Sequence, residues 1–358
     1  MIAAFLLFAT QLFAKETMLS CQACHTATMA LTPIGKGFRN SNLRLMKLTK
    51  TGAPAVALRG QFAYTSEPDP TGLPKAILDE VDTFVAGQVA KNFTYYSDVY
   101  HVDGGENGAA REVWVEYASD HQRSSRAWRA TAGLLSLPVP VDPEMFRETN
   151  NHYAVWDQSV GGNPFTFFDP HNAAMLSYGS PIRGASFSLL GVQAHDKQSG
   201  LPSAGTDTME TLHHIAGPVV LDAYRYDGRR PTGDVNDSFW RTGFGAQIFA
   251  GRAQFMAVTQ TGFDSSANGD GVPVSSSGGF AQARYQLSPA SFVIGRYDGI
   301  SDSTGTFERS FTAGYGLRIG SNFKLEVEDV MQHVPQTTHT LNVVFGFGFA
   351  NVGGSQSY

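Results

Sequence analysis

The stretch Thr338–Phe349, THTLNVVFGFGF, decides the fold. Its odd positions are His339, Leu341, Val343, Phe345, Phe347 and Phe349, and its even positions are Thr338, Thr340, Asn342, Val344, Gly346 and Gly348. Side chains alternate across a strand with period 2, so this is a strand with one apolar face and one small or polar face. The same alternation recurs upstream. Phe323, Leu325 and Val327 interleave with Lys324, Glu326 and Glu328; Phe311, Ala313, Tyr315, Leu317 and Ile319 interleave with Ser310, Thr312, Gly314, Gly316 and Arg318. Ala281, Ala283, Tyr285 and Leu287 interleave with Gln282, Arg284 and Gln286, and Trp240, Phe244, Ala246 and Ile248 with Arg241, Gly243, Gly245 and Gln247. A soluble β-sandwich or propeller buries its apolar faces against protein. Here the opposite face carries Gly, Arg, Glu and Gln in nearly every late strand, which inverts the soluble pattern and points to an apolar face turned to lipid around a polar lumen.

The connections agree. Gly320-Ser321-Asn322, Leu287-Ser288-Pro289-Ala290 and Ala250-Gly251-Arg252 are tight turns, while Phe263 to Gly278, Gly299 to Thr306 and Asp227 to Val235 read as longer loops. Short turns at one end and long loops at the other are the pattern of an outer-membrane barrel, with the last strand ending at the short-turn, periplasmic side. Counting forward gives strands at 54–65, 80–91, 93–102, 110–119, 126–136, 172–180, 182–195, 207–216, 217–227, 236–249, 252–263, 278–287, 290–299, 307–319, 322–333 and 337–349. That makes about sixteen, with fourteen as the alternative count; a barrel with both ends in the periplasm needs an even number. Pro138, Pro140, Pro143, Pro164 and Pro170 exclude a central strand from 138–172, so this stretch is expected to be a long loop that enters the lumen or caps the mouth. Within it, Asp142-Pro143-Glu144 can open a short helix with Asp as N-cap and Pro at the first helical position.

Composition fits this reading. Charged residues make up 16% of the 358 residues, against the roughly 25% usual for soluble domains, and there are 38 Gly, 25 Phe and 13 Tyr. The formal net charge of −6 argues against nucleic-acid binding. Met1–Ala14, MIAAFLLFATQLFA, has the apolar run and small terminal residue of a secretory signal, though its first Lys is Lys15; a buried N-terminal helix is the competing reading. Export to a compartment that permits covalent haem attachment follows if residues 1–14 are a signal.

Both cysteines lie in Cys21-Gln22-Ala23-Cys24-His25. This C-x-x-C-H run is the attachment pattern of c-type haem: each thiol forms a thioether to one vinyl group, and the adjacent His presents its imidazole to the iron. A zinc site needs further ligands and there is no further Cys, and a redox C-x-x-C expects a βαβ surround that the sequence lacks. For the opposite axial position Met46 is the best-placed soft ligand; Met29 is one turn past His25, Met18 precedes the motif, and a His from the rest of the chain is the other source. Residues 15–50 are too few to enclose a haem with a core of their own. The division is therefore a signal at 1–14, a monohaem segment at 15–50 held as a plug, a barrel at 51–350 and a tail at 351–358.

The run from Cys21 to His25, followed by Leu31-Thr32-Pro33-Ile34-Gly35-Lys36-Gly37-Phe38-Arg39, resembles the fused outer-membrane cytochrome–porins. In that family a C-x-x-C-H precedes an L-T/N-P-F/I-G-R/K-x-F stretch and then a barrel of about sixteen strands. The resemblance implies covalent haem c on Cys21 and Cys24, His25 as proximal ligand, and a haem inside a barrel in the bacterial outer membrane with a periplasmic N-terminus. The best-known members are monohaem iron-oxidising cytochromes. Membership of that kind implies a ferrous iron oxidase that takes electrons from extracellular Fe(II) and passes them to a periplasmic c-type cytochrome. The alternative is a general outer-membrane porin, or an electron conduit with a donor or acceptor other than iron.

Other residues bear on the lumen. Asp264, Asn268, Asp270, Asp298 and Asp302 fall in the expected mouth loops and are oxygen donors suited to Fe(II), although loop acids are more often solvated surface. His213 and His214 are adjacent on a strand, so only one ring faces the lumen. Arg241, Arg284, Arg318, Lys324, Glu326 and Glu328 are expected to form a charge ladder across the lumen.

Overall fold

The computed structural model describes residues 55–68, 74–90, 92–119, 127–140, 153–157, 159–180, 184–195, 202–232, 235–320, 323–334 and 336–351. The expected signal at 1–14, the monohaem segment with Cys21, Cys24, His25 and Met46, the Asp142-Pro143-Glu144 turn and the tail beyond Asn351 lie outside the described residues.

The described chain is one antiparallel sheet closed on itself. Sixteen long strands form it: β1 (Ala55–Pro68), β2 (Pro74–Ala90), β3 (Phe93–Asp103), β4 (Ala110–Ala118), β5 (Ala127–Leu135), β6 (His171–Gly179), β7 (Gly184–His195), β8 (Pro202–Ala216), β9 (Val219–Thr232), β10 (Val235–Ala250), β11 (Ala253–Asp264), β12 (Val274–Ser288), β13 (Ser291–Asp302), β14 (Phe307–Ile319), β15 (Phe323–Val334) and β16 (Gln336–Asn351). A two-residue piece, Glu106–Asn107, folds back on the end of β3. Each long strand pairs with its sequence neighbours, and β16 pairs with β1 from Val56↔Asn351 to Thr65↔Asn342, so no edge is left open.

The alternation that marked the strands sets their two faces. Outward positions are apolar and exposed: Phe62, Leu212, Phe244, Phe255, Tyr297 and Phe311 each show about half of their surface. Inward positions are buried and polar, among them Glu80, Asp98, Glu116, Thr131, Arg241, Gln282, Arg296 and Glu328. A closed belt of exposed apolar side chains around a polar interior is a surface that lipid solvates and water does not. Phe93, Tyr117, Trp128, Tyr178 and Tyr285 point outward near the ends of their strands, as an interfacial aromatic girdle does.

All sixteen expected strands are present, but several are longer than the sequence reading. The expected loop at Asp227–Val235 is mostly ladder: β9 and β10 stay paired to Thr232↔Val235. The inward Arg230 makes an ion pair with Asp207 of β8 that carries the alternation onward. The expected loops at 263–278 and 299–306 shrink to 265–273 and 303–306. The contrast between the two ends rests chiefly on one connection, residues 136–170 between β5 and β6. The opposite end holds tight turns such as Gly217-Pro218 and Gly251-Arg252, whose glycines have φ of 59° and reverse the chain in the left-handed region. We refer to the two ends as the loop end and the turn end.

Candidate functional site in the barrel lumen

The described parts of the 136–170 connection, 136–140, 153–157 and 159–170, fold into the barrel and put Leu137, Val139, Tyr153, Val155, Trp156, Phe165 and Phe167 into one buried cluster with wall residues of β7 to β12. The wall contributes Leu190, Val192, Met209, Tyr224, Tyr226, Phe239, Met256, Val258 and Phe280. The lumen is therefore not polar throughout, and aromatics do not sit only on the lipid face. One side of the interior is an apolar bed that holds the loop, because water expelled from both surfaces favours their contact.

A short helix, α1 (Ala154–Asp157), centres this contact. Asp157 accepts the Tyr153 backbone N–H at 3.0 Å, and Trp156 accepts N–H groups from Phe167 and Phe168 through its carbonyl at 2.9 and 3.1 Å. Trp156 has no exposed surface and meets the rings of Phe167, Tyr224 and Phe280 at 5.5, 5.8 and 6.4 Å. Polar side chains of the wall satisfy the loop backbone: Gln247 Nε2 donates to the Pro140 carbonyl at 3.0 Å and Gln260 Nε2 to that of Val155 at 3.3 Å. Tyr153 donates to Gln282 at 3.0 Å and lies under the Arg296 guanidinium at 4.1 Å. Gly245 makes room for the loop, since a Cβ there would lie 2.3 Å from Pro140 Cβ.

A polar cluster fastens the loop near the loop end. Arg241 binds Asp264 through both terminal nitrogens at 2.8 and 3.0 Å, and Asn163 of the loop donates to Asp264 at 2.8 Å and Asp237 at 2.9 Å. The five mouth acids and amides of the sequence reading therefore have structural partners. Asp264 ends β11 and faces the lumen rather than lying in a loop. Asn268 accepts the Gly162 N–H at 3.1 Å, Asp270 caps Val272, Asp302 shapes the 303–306 turn, and Asp298 pairs with Arg296 within β13 at 3.1 Å. The expected charge ladder is partly present: Arg241, Arg284, Glu326 and Glu328 are buried in the lumen and Lys324 binds Glu326 at 2.8 Å, while Arg318 is only half-buried.

The far side of the lumen is acidic. Glu80, Asp82, Asp98, Glu112 and Glu116 of β2 to β4 all face inward, with Arg59 bonded to Glu80 and Asp82. Between β4–β9 and the Leu135–Pro140 segment lies a cavity of about 140 Å³, bordered by Glu112, Glu116, Arg129, Thr131 and Leu137. His213 lines it and is buried, and its Nδ1 lies 2.5 Å from Asp222 on the neighbouring strand. His214 is on the opposite face, as strand geometry requires. The His213–Asp222 pair, Asn163 and Trp156 were not singled out in sequence. The first was legible in principle, because Gly217-Pro218 as a two-residue turn places His213 directly opposite Asp222.

No protein-family model matches the sequence, and no curated protein matches it. Solved structures do resemble the fold. An anion-selective porin from Comamonas acidovorans matches at TM-score 0.58 and 12% identity, over 84% of this chain and 99% of that one. A Salmonella typhi OmpF structure in complex with daunomycin matches at TM-score 0.59 and 12% identity, over 85% and 100%. A porin refined at 1.8 Å matches at TM-score 0.57 and 10% identity, over 83% and 100%. The chain is a closed sixteen-strand antiparallel barrel of the architecture those porins have.

Proposed function

We propose that this chain is a channel of porin type in the bacterial outer membrane, its lumen narrowed by the 136–170 loop. The observation that carries this reading is the closed ladder with an exposed apolar belt outside and charged side chains inside. The described strands pair in one closed ladder, which is how strands span hydrocarbon without a helix. The acidic wall of β2 to β4 favours cations over anions in the open half of the lumen. Purified protein added to a planar lipid bilayer should give discrete conductance steps with cation preference. A bilayer that stays silent, with the protein folded and inserted, would overturn this.

One specific observation favours a second, finer reading. Cys21-Gln22-Ala23-Cys24-His25, the attachment pattern of c-type haem, stands ahead of the barrel. On this reading the protein moves electrons across the outer membrane, with extracellular Fe(II) as donor and a periplasmic c-type cytochrome as acceptor. A bound haem supplies the one-electron chemistry. The chain's own residues do the rest: the Cys21 and Cys24 thiols tether, the His25 imidazole ligates, and the barrel keeps lipid out so that aqueous ions reach the lumen. Full-length protein produced with a c-type maturation system should carry one haem that survives denaturing gel electrophoresis and gives a pyridine haemochrome spectrum. The Cys21→Ser, Cys24→Ser double variant should lose all of it. Wild-type protein without covalent haem would leave the channel reading alone standing.

A further inference from the structure

We propose that the lumen cavity beside His213 binds a small organic cation, a primary ammonium group carried on a short apolar body; this rests on the channel reading above, which opens the lumen to solutes. Six successive strands, β4 to β9, and the Leu135–Pro140 segment border about 140 Å³ there. An engineered apolar cavity of about 150 Å³ holds benzene, so the space suits a molecule of roughly five or six heavy atoms.

Charge selects the sign of the ligand. Glu112, Glu116 and Asp222 border the cavity against a single guanidinium, that of Arg129. With His213 neutral, the lining carries a surplus of two negative charges. All four groups are buried, so water screens their field weakly and a cation is favoured. Two of the carboxylates are held in place: Thr131 Oγ1 donates to Glu116 at 2.7 Å, and the Ser136 backbone N–H donates to Glu112 at 3.2 Å. A bare metal ion suits the site poorly, since among the described residues no three His, Cys, Asp or Glu side chains are grouped to hold one.

His213 asks for a donor. Asp222 lies opposite it across the β8–β9 ladder and as a carboxylate can only accept, so Nδ1 carries the proton and donates at 2.5 Å. The lone pair of the neutral ring is then on Nε2, which is buried without a hydrogen-bond partner in a residue 8% exposed. A buried acceptor left unmade is costly, and an ammonium N–H in the cavity satisfies it. Leu135, Leu137, Met175 and Leu190 supply the apolar part of the lining, where methylene groups gain by leaving water. His213 and Asp222 each lie three residues from the turn-end limit of their strands, Ala216 and Val219. The site is therefore in the turn-end half of the lumen, and binding there is expected to be weak enough for a permeating solute to leave.

The test titrates n-butylammonium into the folded, full-length protein in detergent at pH 8, where the amine is charged. Binding is read by saturation-transfer nuclear magnetic resonance, which needs no current. Saturable binding is expected, and tetramethylammonium, which has the charge but no N–H, should not compete at the same concentrations. His213→Phe keeps a ring and removes the lone pair; it should weaken binding about tenfold, the effect of one lost hydrogen bond. Glu116→Gln keeps the shape and removes one negative charge; it should weaken binding several-fold, and it serves as the test should His213→Phe fail to fold. No saturable binding, tetramethylammonium competing as an equal, or an affinity unchanged in either folded variant would overturn the site. Those results leave the channel reading intact, because conductance in potassium chloride without amine tests it separately. A silent bilayer overturns the channel reading whatever the amine does.

Discussion

A Trp156→Ala barrel should conduct several-fold more current than wild type and lose its 136–170 loop to limited proteolysis, while the wall stays folded. Trp156 is the centre of the loop's apolar contact, fully buried against Phe167, Tyr224 and Phe280. Truncating a buried Trp removes its transfer free energy and leaves a cavity, together about 3–5 kcal/mol. The wall bears little of that loss, because its strands are held by the closed ladder and by an outer belt in lipid. The loop bears it: side-chain hydrogen bonds such as those of Gln247 to Pro140 and Gln260 to Val155 are worth only about 1 kcal/mol each. An equilibrium tipped by that amount favours the detached loop, and the lumen widens. The check is single-channel conductance alongside protease digestion of the folded barrel. Conductance and digestion unchanged from wild type would show that the aromatic bed does not hold the loop.

The wall was legible in the sequence because its signal is local. Phe311 to Ile319 and Leu341 to Phe347 alternate within themselves, and no knowledge of neighbours is needed to place their faces. The inner loop was legible only by exclusion. Five prolines ruled out a strand, but nothing in 138–172 says which strands will receive it. That depends on the inward faces of β7 to β12, where Tyr224, Tyr226, Phe239 and Phe280 turn the lumen apolar. Reading aromatics as lipid-facing hid this bed, since Tyr224 and Tyr226 occupy the inward phase of a strand whose outward phase carries Arg225 and Asp227. The His213–Asp222 pair was hidden by register. Ending one strand at 216 and starting the next at 217 leaves no turn, whereas spending Gly217 and Pro218 on the turn sets the two residues face to face. A slip of this size in the turn changes every cross-strand partner.

Arg241→Leu should destabilise the barrel by about 3–5 kcal/mol in urea unfolding from lipid vesicles, the cost of stripping the partner from a buried carboxylate. Asp264 and Asp237 have no exposed surface, and Asn163 stands between them, donating to both. Arg241 is the cation that binds Asp264 on two sides. With a Leu in its place, two carboxylates face each other across one amide, and their repulsion acts on the residue that ties the loop to the wall. The substitution is therefore expected to loosen Asn163 as well as lower stability. Arg241→Leu with Asp264→Leu removes the stranded charge and should regain most of the loss, because replacing a buried ion pair by apolar groups is often close to neutral. A double variant no more stable than Arg241→Leu would mean that the guanidinium acts through its packing under Phe239, whose ring centroid lies 5.2 Å away, rather than through Asp264.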